Sequence, residues 1–240
     1  MRAGLRSRDT VLSELMDDPG CDPVALDRTY ARFRLVNRLV AGWRRTYRER
    51  VRPLLAAGRT TSLLDLGCGG GDVARALAGW ARADGLRLRV VGVDPDPRAF
   101  AFATAQPPVA EVGFRCAGSA ELVAAGERYD LVVSNHLLHH LDASGLQQVL
   151  RDSERLAVRL VLHDDLRRSR AAYLAWAAAA WPSAPGSFLL TDGLRSIRRS
   201  YRAGELAGVV PAGWRVERHA PFRLLLTWSA PGTTGGVTGA

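Results

Sequence analysis

A glycine-rich segment, residues 62–72, constrains the fold of this chain more than any other feature. It reads Ser-Leu-Leu-Asp-Leu-Gly-Cys-Gly-Gly-Gly-Asp, in which an apolar run, Leu63–Leu66, leads into Gly67, Gly69 and Gly71. We expect a buried strand, and then a turn whose glycines adopt positive φ and let a ligand approach the main chain. A helix is expected to follow the last glycine.

A second predicted strand, Arg87–Asp94, ends in an acidic residue. Asp94 follows the glycines by about 20 residues, the spacing at which an acid accepts hydrogen bonds from a ribose in nucleotide-binding βαβ units. The glycine turn and Asp94 together predict a Rossmann-like half that holds a nucleoside.

The identity of that nucleoside has two interpretations. Residues 69–74 fit the dinucleotide pattern G-x-G-x-x-A, so an NAD(P)-binding oxidoreductase is one alternative. Asp65 argues against it, because a carboxylate at the end of the first strand would repel a pyrophosphate and would suit a cationic ligand. The fourth predicted strand also ends differently, in Ser-Asn-His-Leu-Leu-His-His-Leu.

Three segments carry a resemblance to a known family: Asp65–Gly71, Asp94, and the strand Tyr129-Asp-Leu-Val-Val-Ser-Asn-His136. They resemble the class I S-adenosylmethionine-dependent methyltransferase superfamily, in its small-molecule branch of ubiquinone/menaquinone-type and biosynthetic enzymes. The resemblance covers roughly residues 58–230. It implies S-adenosylmethionine as cofactor and S-adenosylhomocysteine as product.

The rest of the chain alternates between strand and helix patterns, which indicates a parallel sheet with right-handed crossovers. Strands are expected at 61–66, 87–94, 111–116, 129–135 and 158–163, and helices at 71–83, 97–105, 119–126, 143–157 and 168–181. Two final strands, Trp214–His219 and Phe222–Trp228, are joined by so short a link that they must pair antiparallel. The predicted fold is therefore an α/β, Rossmann-like, doubly wound sheet, mainly parallel, with a C-terminal antiparallel hairpin and an N-terminal helical cap.

The domain organisation follows from these patterns. Residues 1–58 are expected to form the helical cap, because Asp22-Pro23 starts an amphipathic helix that reaches Gly58 with a break near Ala41-Gly42. Residues 59–230 form the methyltransferase-like domain, which includes an insertion at 182–204 with the character of a substrate-covering loop. The Gly/Thr-rich tail, 231–240, is expected to be disordered.

Most of the cofactor-binding residues are implied by the resemblance. Asp65 and the glycines would cradle the methionine part, Asp94 would bind both ribose hydroxyls, and Asn135-His136 would lie beside the sulfonium. Ser119-Ala120 stands where the family often has an acid that reads the adenine, so that contact is in doubt. The full predicted set is Asp65, Gly67, Cys68, Gly69, Gly71, Asp94, Pro95, Ser119, Ala120, Asn135 and His136.

Four of the five histidines are candidates for a general base, because imidazole titrates near neutral pH and these residues lie at predicted strand ends. The pair His163/Asp164, at the end of the fifth strand, is the first choice for base or acceptor orientation. His139 and His140 are further catalytic candidates, for which packing at a helix start is an equal alternative. The spacing of His163, Asp164 and Asp165 is compatible with a metal site, but no further ligands accompany this cluster. No metal site is therefore predicted.

The candidates for substrate contacts come from two regions. Tyr30, Phe33 and Asn37 lie on the cap helix, whose aromatic stripe could equally be core. Arg195, Arg198 and Arg199 lie in the 182–204 insertion and could bind a carboxylate, an enolate or a carrier phosphate, or be solvated. The predicted partner is a small-molecule acceptor, with an anionic or carrier-bound one allowed by the arginines.

Composition and charge narrow the partners and the cellular location that are expected for this protein. The 240 residues carry a net charge of +9 with 33 basic residues, all arginine, which fits solvated surfaces, although an acidic carrier or RNA is an alternative. Three widely spaced cysteines predict reduced thiols and a cytoplasmic location, and no apolar run predicts a membrane span or a secretion signal. The chain is expected to be a monomer or a homodimer.

The predicted function is S-adenosylmethionine-dependent O- or C-methylation of a phenol, quinol or polyketide-like small molecule. Strand four lacks the Asn-Pro-Pro-aromatic sequence of the resembling base-amino methyltransferases, which disfavours nucleic acid as the acceptor. An RNA or protein methyltransferase, an NAD(P)-binding oxidoreductase and a non-catalytic nucleoside-binding module are the alternatives.

Overall fold

A seven-stranded sheet in the order β3-β2-β1-β4-β5-β7-β6 forms the centre of the molecule. The computed structural model describes residues 5–181 and 184–232, and their side chains except those of residues 34–36 and 38–40. The strands are β1 (Thr60–Leu66), β2 (Arg87–Asp94), β3 (Val112–Cys116), β4 (Tyr129–Asn135), β5 (Ala157–Leu166), β6 (Arg215–His219) and β7 (Arg223–Ser229). The first five pair parallel, and β7 pairs antiparallel with both β5 and β6. The predicted fold class is confirmed.

Helices cover both faces of the sheet. They are α1 (Pro23–Val40), α2 (Trp43–Thr46), α3 (Asp72–Ala83), α4 (Pro97–Ala105), α5 (Ser119–Ala124), α6 (Ala143–Leu156), α7 (Arg170–Ala180), α8 (Leu189–Arg199) and α9 (Ala203–Ala207). Neighbouring residues of one strand supply two separate cores because successive side chains point to opposite faces. Leu64 and Val132 belong to one core, whereas Leu63 and Val133 belong to the other.

The N-terminal helix begins and ends where local chemistry dictates. The Asp22 side chain accepts a hydrogen bond from the Val24 backbone N–H, and Pro23 occupies the first helical position. After Val40 the chain turns at Gly42, whose φ is +71° and whose added Cβ would lie 3.0 Å from the His219 ring. It continues as α2, a π-helical turn and a 3₁₀ turn that ends at Leu54.

Residues 182–204 are mostly helical, contrary to the expected covering loop. Within the described part of this segment, α8 packs against α7 and against a 3₁₀ turn, Leu138–His140, that follows β4. The segment is amphipathic: Leu189 and Ile197 are buried, whereas Arg195, Arg198 and Arg199 are partly exposed. The sequence predicts a loop here because residues 182–187 are rich in Pro and Gly and because the helix that follows contains several charged residues. Residues 233–240 of the predicted tail lie outside the described residues.

An extended N-terminal segment, residues 5–20, is fastened across α8. The Asp192 carboxylate, on α8, accepts hydrogen bonds from the backbone N–H groups of Leu15 (2.7 Å) and Met16 (3.0 Å). Arg198 forms an ion pair with Asp9 at 2.7 Å. This segment therefore lies at the carboxyl edge of the sheet. None of the described helices is long and apolar enough to cross a membrane.

Candidate active site

A cavity of about 360 Å³ opens at the carboxyl ends of β1, β2 and β4. Its walls come from the glycine-rich turn after β1, the turns after β2 and β4, helix α1 and the N-terminal segment. The place agrees with the rule that open α/β sheets bind ligands outside the carboxyl ends of their strands, where the strand order reverses. Here the reversal falls between β1 and β4.

The glycine-rich turn adopts the backbone conformation that its sequence predicts. Gly67, Gly69 and Gly71 have φ values of +64°, +51° and +75°. A Cβ at position 71 would lie 2.4 Å from the Phe114 ring, so a side chain there would displace the phenylalanine as well as strain the backbone. The main chain of the turn is thereby left open on its cavity side.

Asp65 is a buried carboxylate with no partner among the described residues. It is 1% exposed, lines the cavity, and neither carboxylate oxygen receives a hydrogen bond. Burial, reinforced by the charges of Asp72 and Asp94, raises the pKa of Asp65 well above its ordinary value. A carboxylate in this condition is stabilised by a cation placed in the cavity, which an ammonium group would supply.

Asp94 links the second strand to the glycine-rich turn. One carboxylate oxygen accepts from the Gly69 backbone N–H at 2.9 Å, and the other accepts from the Asp96 backbone N–H at 3.0 Å. Burial raises the pKa of Asp94 although these two hydrogen bonds favour its charged form. Its remaining lone pairs are available to hydroxyl donors in the cavity.

The structure brings most of the predicted cofactor residues to this cavity. Those that line it are Asp65, Gly67, Cys68, Gly69, Asp94, Pro95, Asn135 and His136. Gly71 ends the turn and serves as N-cap of α3. Ser119 and Ala120 are not in the lining, and the Ser119 hydroxyl donates to Asp152 at 2.7 Å. Ser119 therefore has a partner on α6.

The predicted acceptor residues divide into two groups. Tyr30, Phe33 and Asn37 of α1 line the cavity, and Asn37 donates to Asp72 at 3.0 Å. The three arginines bind the protein itself, with these contacts: Arg195 to the Ser13 carbonyl, Arg198 to Asp9, and Arg199 to the carbonyls of Leu12, His139 and His140. Through Ser13, Asp9 and Leu12 these arginines hold the N-terminal segment, which forms part of the cavity wall. The arginines themselves do not line the cavity.

His163 and Asp164, the first choice for catalysis, are absent from the cavity lining. Both side chains are fully buried. His163 Nδ1 lies 2.7 Å from the Ser134 hydroxyl, and its ring stacks on Trp214. Burial lowers the pKa of His163 to about 3, so this imidazole is neutral at physiological pH. The antiparallel strand β7 pairs with this end of β5, where His163 lies opposite Leu226 and Asp164 opposite Leu225. The sequence alone did not show this pairing register.

His139 and His140 line the cavity within a network of carboxylates. His139 Nδ1 lies 2.6 Å from Asp165, and its Nε2 lies 3.2 Å from Glu14. Burial opposes the charge on this ring, but the two carboxylates outweigh it and raise the pKa of His139 to about 9. The ring is thus a buried cation between two anions, with both nitrogens protonated.

His140 is more accessible than its neighbour. Its side chain is 28% exposed, with Nδ1 3.3 Å from Asp17 and Nε2 3.7 Å from Glu14. Glu14, His139 and His140 are ligand types that a divalent metal accepts, and their ligand atoms lie within 4.8 Å of one another. The same two rings also contact Asp165 and Asp17, so the described side chains form one ion network.

Comparison with known proteins adds independent information to this geometry. Residues 63–158 match the family model described as "Methyltransferase domain". The matched segment runs from β1 to the start of β5, so it includes the glycine-rich turn, Asp94 and β4. The predicted resemblance to class I S-adenosylmethionine-dependent methyltransferases is confirmed.

Two curated relatives of the methyltransferase domain are ubiquinone biosynthesis O-methyltransferases. That of Methylobacterium sp. (strain 4-46) is 38% identical over 96 residues, covering 39% of this chain and 35% of the relative. That of Azorhizobium caulinodans is 37% identical over 86 residues, covering 35% of this chain and 32% of the relative. The chain thus matches about a third of the length of each relative.

Solved methyltransferases share the fold over a longer span. The plantazolicin methyltransferase BpumL, in complex with S-adenosylhomocysteine, matches with a TM-score of 0.62 at 13% identity, over 90% of this chain and 91% of that one. Human N-acetylserotonin methyltransferase, in complex with S-adenosylmethionine, matches with a TM-score of 0.58 at 10% identity, over 82% of this chain and 53% of that one. These similarities establish the fold.

Several cavity residues lie before the methyltransferase domain and escaped the sequence analysis. Glu14, Met16 and Asp17 line the cavity from a segment that reads as short, polar and without periodicity. Their only signal was an acidic pair close to two apolar residues, which occurs in many surface segments. The contacts that place them there are made by residues of α8, about 180 positions away in the sequence.

Proposed function

We propose that this chain transfers a methyl group from S-adenosylmethionine to a hydroxyl group of a small-molecule acceptor, a phenol or quinol. The observation that carries the proposal is that two sets of polar side chains line the same cavity. One is Asp65, whose buried oxygens have no hydrogen bond, with Asp94; the other is His140 with Glu14 and Asp17. The two relatives named as O-methyltransferases support an oxygen acceptor.

The residues of the first set fit S-adenosylmethionine. Asp65 would bind the ammonium group, since its oxygens are buried without a hydrogen bond in the described structure. Asp94 would accept from the ribose hydroxyls, and the open backbone at Gly67 and Gly69 would border the methionine part. When bound, the cofactor supplies an electrophilic methyl group on a sulfonium.

The residues of the second set would orient the acceptor and remove its proton. Asp17 faces His140 Nδ1 at 3.3 Å, which favours the tautomer with its proton on that nitrogen. The Nε2 atom, 3.7 Å from Glu14 in the wall of the cavity, then carries the lone pair and would accept the hydroxyl proton as a general base. Phe33 and Tyr30 provide aromatic surface for a planar acceptor.

The test uses methyl-labelled S-adenosylmethionine with a small-molecule extract of cells that make the protein. Label is separated into organic-extractable and acid-precipitable fractions, with Asp94→Ala as the inactive control. We expect organic-extractable label that the variant does not produce. Precipitable label would move the function to RNA or protein. Absence of label with retained cofactor binding would support a non-catalytic nucleoside-binding module, and absence of both would reopen an NAD(P)-binding oxidoreductase.

A further inference from the structure

His136 is held by an arginine that the sequence analysis did not single out. The Arg223 guanidinium, on β7, is 2% exposed and places Nη1 2.8 Å from His136 Nε2. Its Nη2 donates to the Asn135 side chain at 2.6 Å, and its Nε donates to Asp164 at 2.6 Å. Arg223 thus joins the hairpin to two residues that line the cavity.

These contacts fix the protonation state of His136. A guanidinium has five N–H donors and no acceptor, so the Nε2 atom facing it must carry a lone pair. The ring proton is then on Nδ1 and the imidazole is neutral. Burial and the adjacent charge of Arg223 lower the pKa of His136 well below its ordinary value, which keeps it neutral at physiological pH. The other titratable groups around the ring are Asp165, His139 and His140.

His136 lines the cavity, and its remaining ring nitrogen is Nδ1. Among the described residues Nδ1 has no hydrogen-bond partner, and the ring lies between Phe33 and His139, at centroid distances of 6.5 and 6.1 Å. The backbone of His136 is in the left-handed region, with φ of +59°, and its N–H donates to the Asp164 carbonyl at 3.0 Å. Such a conformation in a residue other than glycine costs free energy and persists where the surroundings impose it.

We propose that His136, positioned by Arg223, donates its Nδ1–H to the acceptor oxygen and binds the acceptor as a phenolate or enolate. The proposal rests on the proposed function and narrows its acceptor class. The buried guanidinium behind the ring strengthens the donor and stabilises negative charge on the oxygen. The O–H proton goes to His140, the O–CH₃ bond forms and the S–CH₃ bond breaks, so His136 itself exchanges no proton.

The same geometry selects oxygen over nitrogen. An oxygen nucleophile has further lone pairs, so it can accept the hydrogen bond and still attack the methyl group. A neutral amine has one lone pair, and accepting the hydrogen bond would block its attack. The site is therefore matched to an ionised hydroxyl.

The first experiment tests the tautomer. Protein labelled with ¹⁵N at histidine, in complex with S-adenosylhomocysteine, is examined by long-range ¹H–¹⁵N NMR between pH 6 and 9. We expect one neutral imidazole that carries its proton on Nδ1 alone over this whole range and whose signals disappear in His136→Phe, which distinguishes it from the doubly protonated His139. Arg223→Lys, which keeps a charge beside Asp164, should lose that tautomer preference. A His136 that titrates, or that carries its proton on Nε2, would overturn the proposal.

The second experiment tests the donor with a chromophoric probe, 4-nitrophenol, added to the S-adenosylhomocysteine complex. The absorbance of the phenolate gives the pKa of the bound phenol. We expect this pKa to be at least about one unit lower in the wild type than in His136→Phe, a ten-fold preference for the anion. An equal pKa in both proteins, or no uptake of the phenol by the wild type at millimolar concentration, would refute the assignment.

Two controls separate the possible failures. Thr104→Ala removes an exposed hydroxyl that binds only carbonyls of its own helix, outside the cavity lining, and should leave both the tautomer and the phenol pKa unchanged. Calorimetric titration with S-adenosylhomocysteine and thermal unfolding are measured for each variant. If the cofactor product binds normally while the phenol pKa is unaffected by His136, the role of His136 fails and the proposed function stands. Loss of cofactor binding in the wild type would reject the proposed function itself.

Discussion

The Asp94 carboxylate and the Gly69 backbone N–H form a 2.9 Å hydrogen bond across the mouth of the cavity. This contact joins the end of β2 to the glycine-rich turn that follows β1. Under the proposed function, the acid that would bind the ribose is therefore also the acid that positions the glycine-rich turn. Removing it disturbs two parts of the site at once.

Asp94→Ala is expected to weaken S-adenosylhomocysteine binding by at least about ten-fold, because it removes charge-assisted hydrogen bonds and frees the turn at Gly69. Asp94→Asn should lose less, since its amide oxygen can still accept from one N–H. Calorimetry measures the dissociation constants. Asp142→Ala, which removes an exposed helix-capping acid outside the cavity lining, is the matched control. Unchanged affinity in Asp94→Ala would remove this residue from the site.

If Asp65 binds the ammonium group of S-adenosylhomocysteine, binding should release a proton from this carboxyl group. Its pKa is raised by burial in the ligand-free cavity, and an ammonium group would favour the carboxylate and lower that pKa. Binding should therefore expel a proton, and affinity should rise with pH until the ligand-free pKa is passed. Below pH 7 the amino group of S-adenosylhomocysteine stays protonated and does not add to the effect.

The measurement compares binding enthalpies in two buffers of different ionisation enthalpy at pH 6. We expect a difference between the buffers in the wild type and a much smaller one in Asp65→Asn. The same enthalpy in both buffers would show that Asp65 does not change its protonation state on binding, which would contradict the prediction. Asp130→Asn, a buried acid that binds Ser62 outside the cavity lining, controls for general effects of removing a carboxylate.

The sheet and the glycine-rich turn could be predicted because each depends on residues that are close together in the sequence. Alternating apolar strands, the glycines at 67, 69 and 71, and a two-residue link between the last strands each have few structural solutions. The part of the cavity wall that contains Glu14 and His139 depends on contacts that are distant in sequence. Glu14 reaches His139 because Asp192 and Ser196 hold the segment that carries it.

Two groups of predicted site residues, the pair His163/Asp164 and the arginines of α8, lie outside the cavity lining for related physical reasons. His163 and Asp164 stand at a strand end, as a catalytic pair can, but β7 runs beside them and Arg223 neutralises Asp164. The arginines of α8 looked like an anion site because their partners, Asp9 and the carbonyls of residues 12, 139 and 140, lie far away in the chain. Charge in a sequence does not reveal whether its counter-charge is a ligand or the protein.

His140→Gln is expected to lower kcat by about 10²- to 10⁴-fold, the range for loss of a general base, with little change in S-adenosylhomocysteine affinity. Asp17→Asn should have a smaller effect, because it removes only the group that orients the ring. Single-turnover methyl transfer to the acceptor identified by the labelling experiment measures both. A His140→Gln variant with wild-type kcat would transfer the role of base to another residue or to water.

The last prediction concerns the attachment of the N-terminal segment. Asp192 is fully buried, and its carboxylate satisfies two backbone N–H groups next to Glu14. Burial raises the pKa of Asp192 to about 6. Because the raised value means that the fastened state binds a proton more readily than the released one, this residue should make fastening more favourable as the pH falls through 6.

Asp192→Ala should release residues 5–20 and with them the Glu14 and Asp17 side chains. We expect faster proteolytic cleavage in this segment, a raised KM for the acceptor, and S-adenosylhomocysteine affinity within about three-fold of the wild type, since Asp65 and Asp94 are untouched. Asp192→Asn, which retains an acceptor oxygen but cannot titrate, should be intermediate in cleavage and should lose the pH dependence below pH 7. Cleavage rates that are equal in all three proteins would show that the segment is held by its arginine contacts instead.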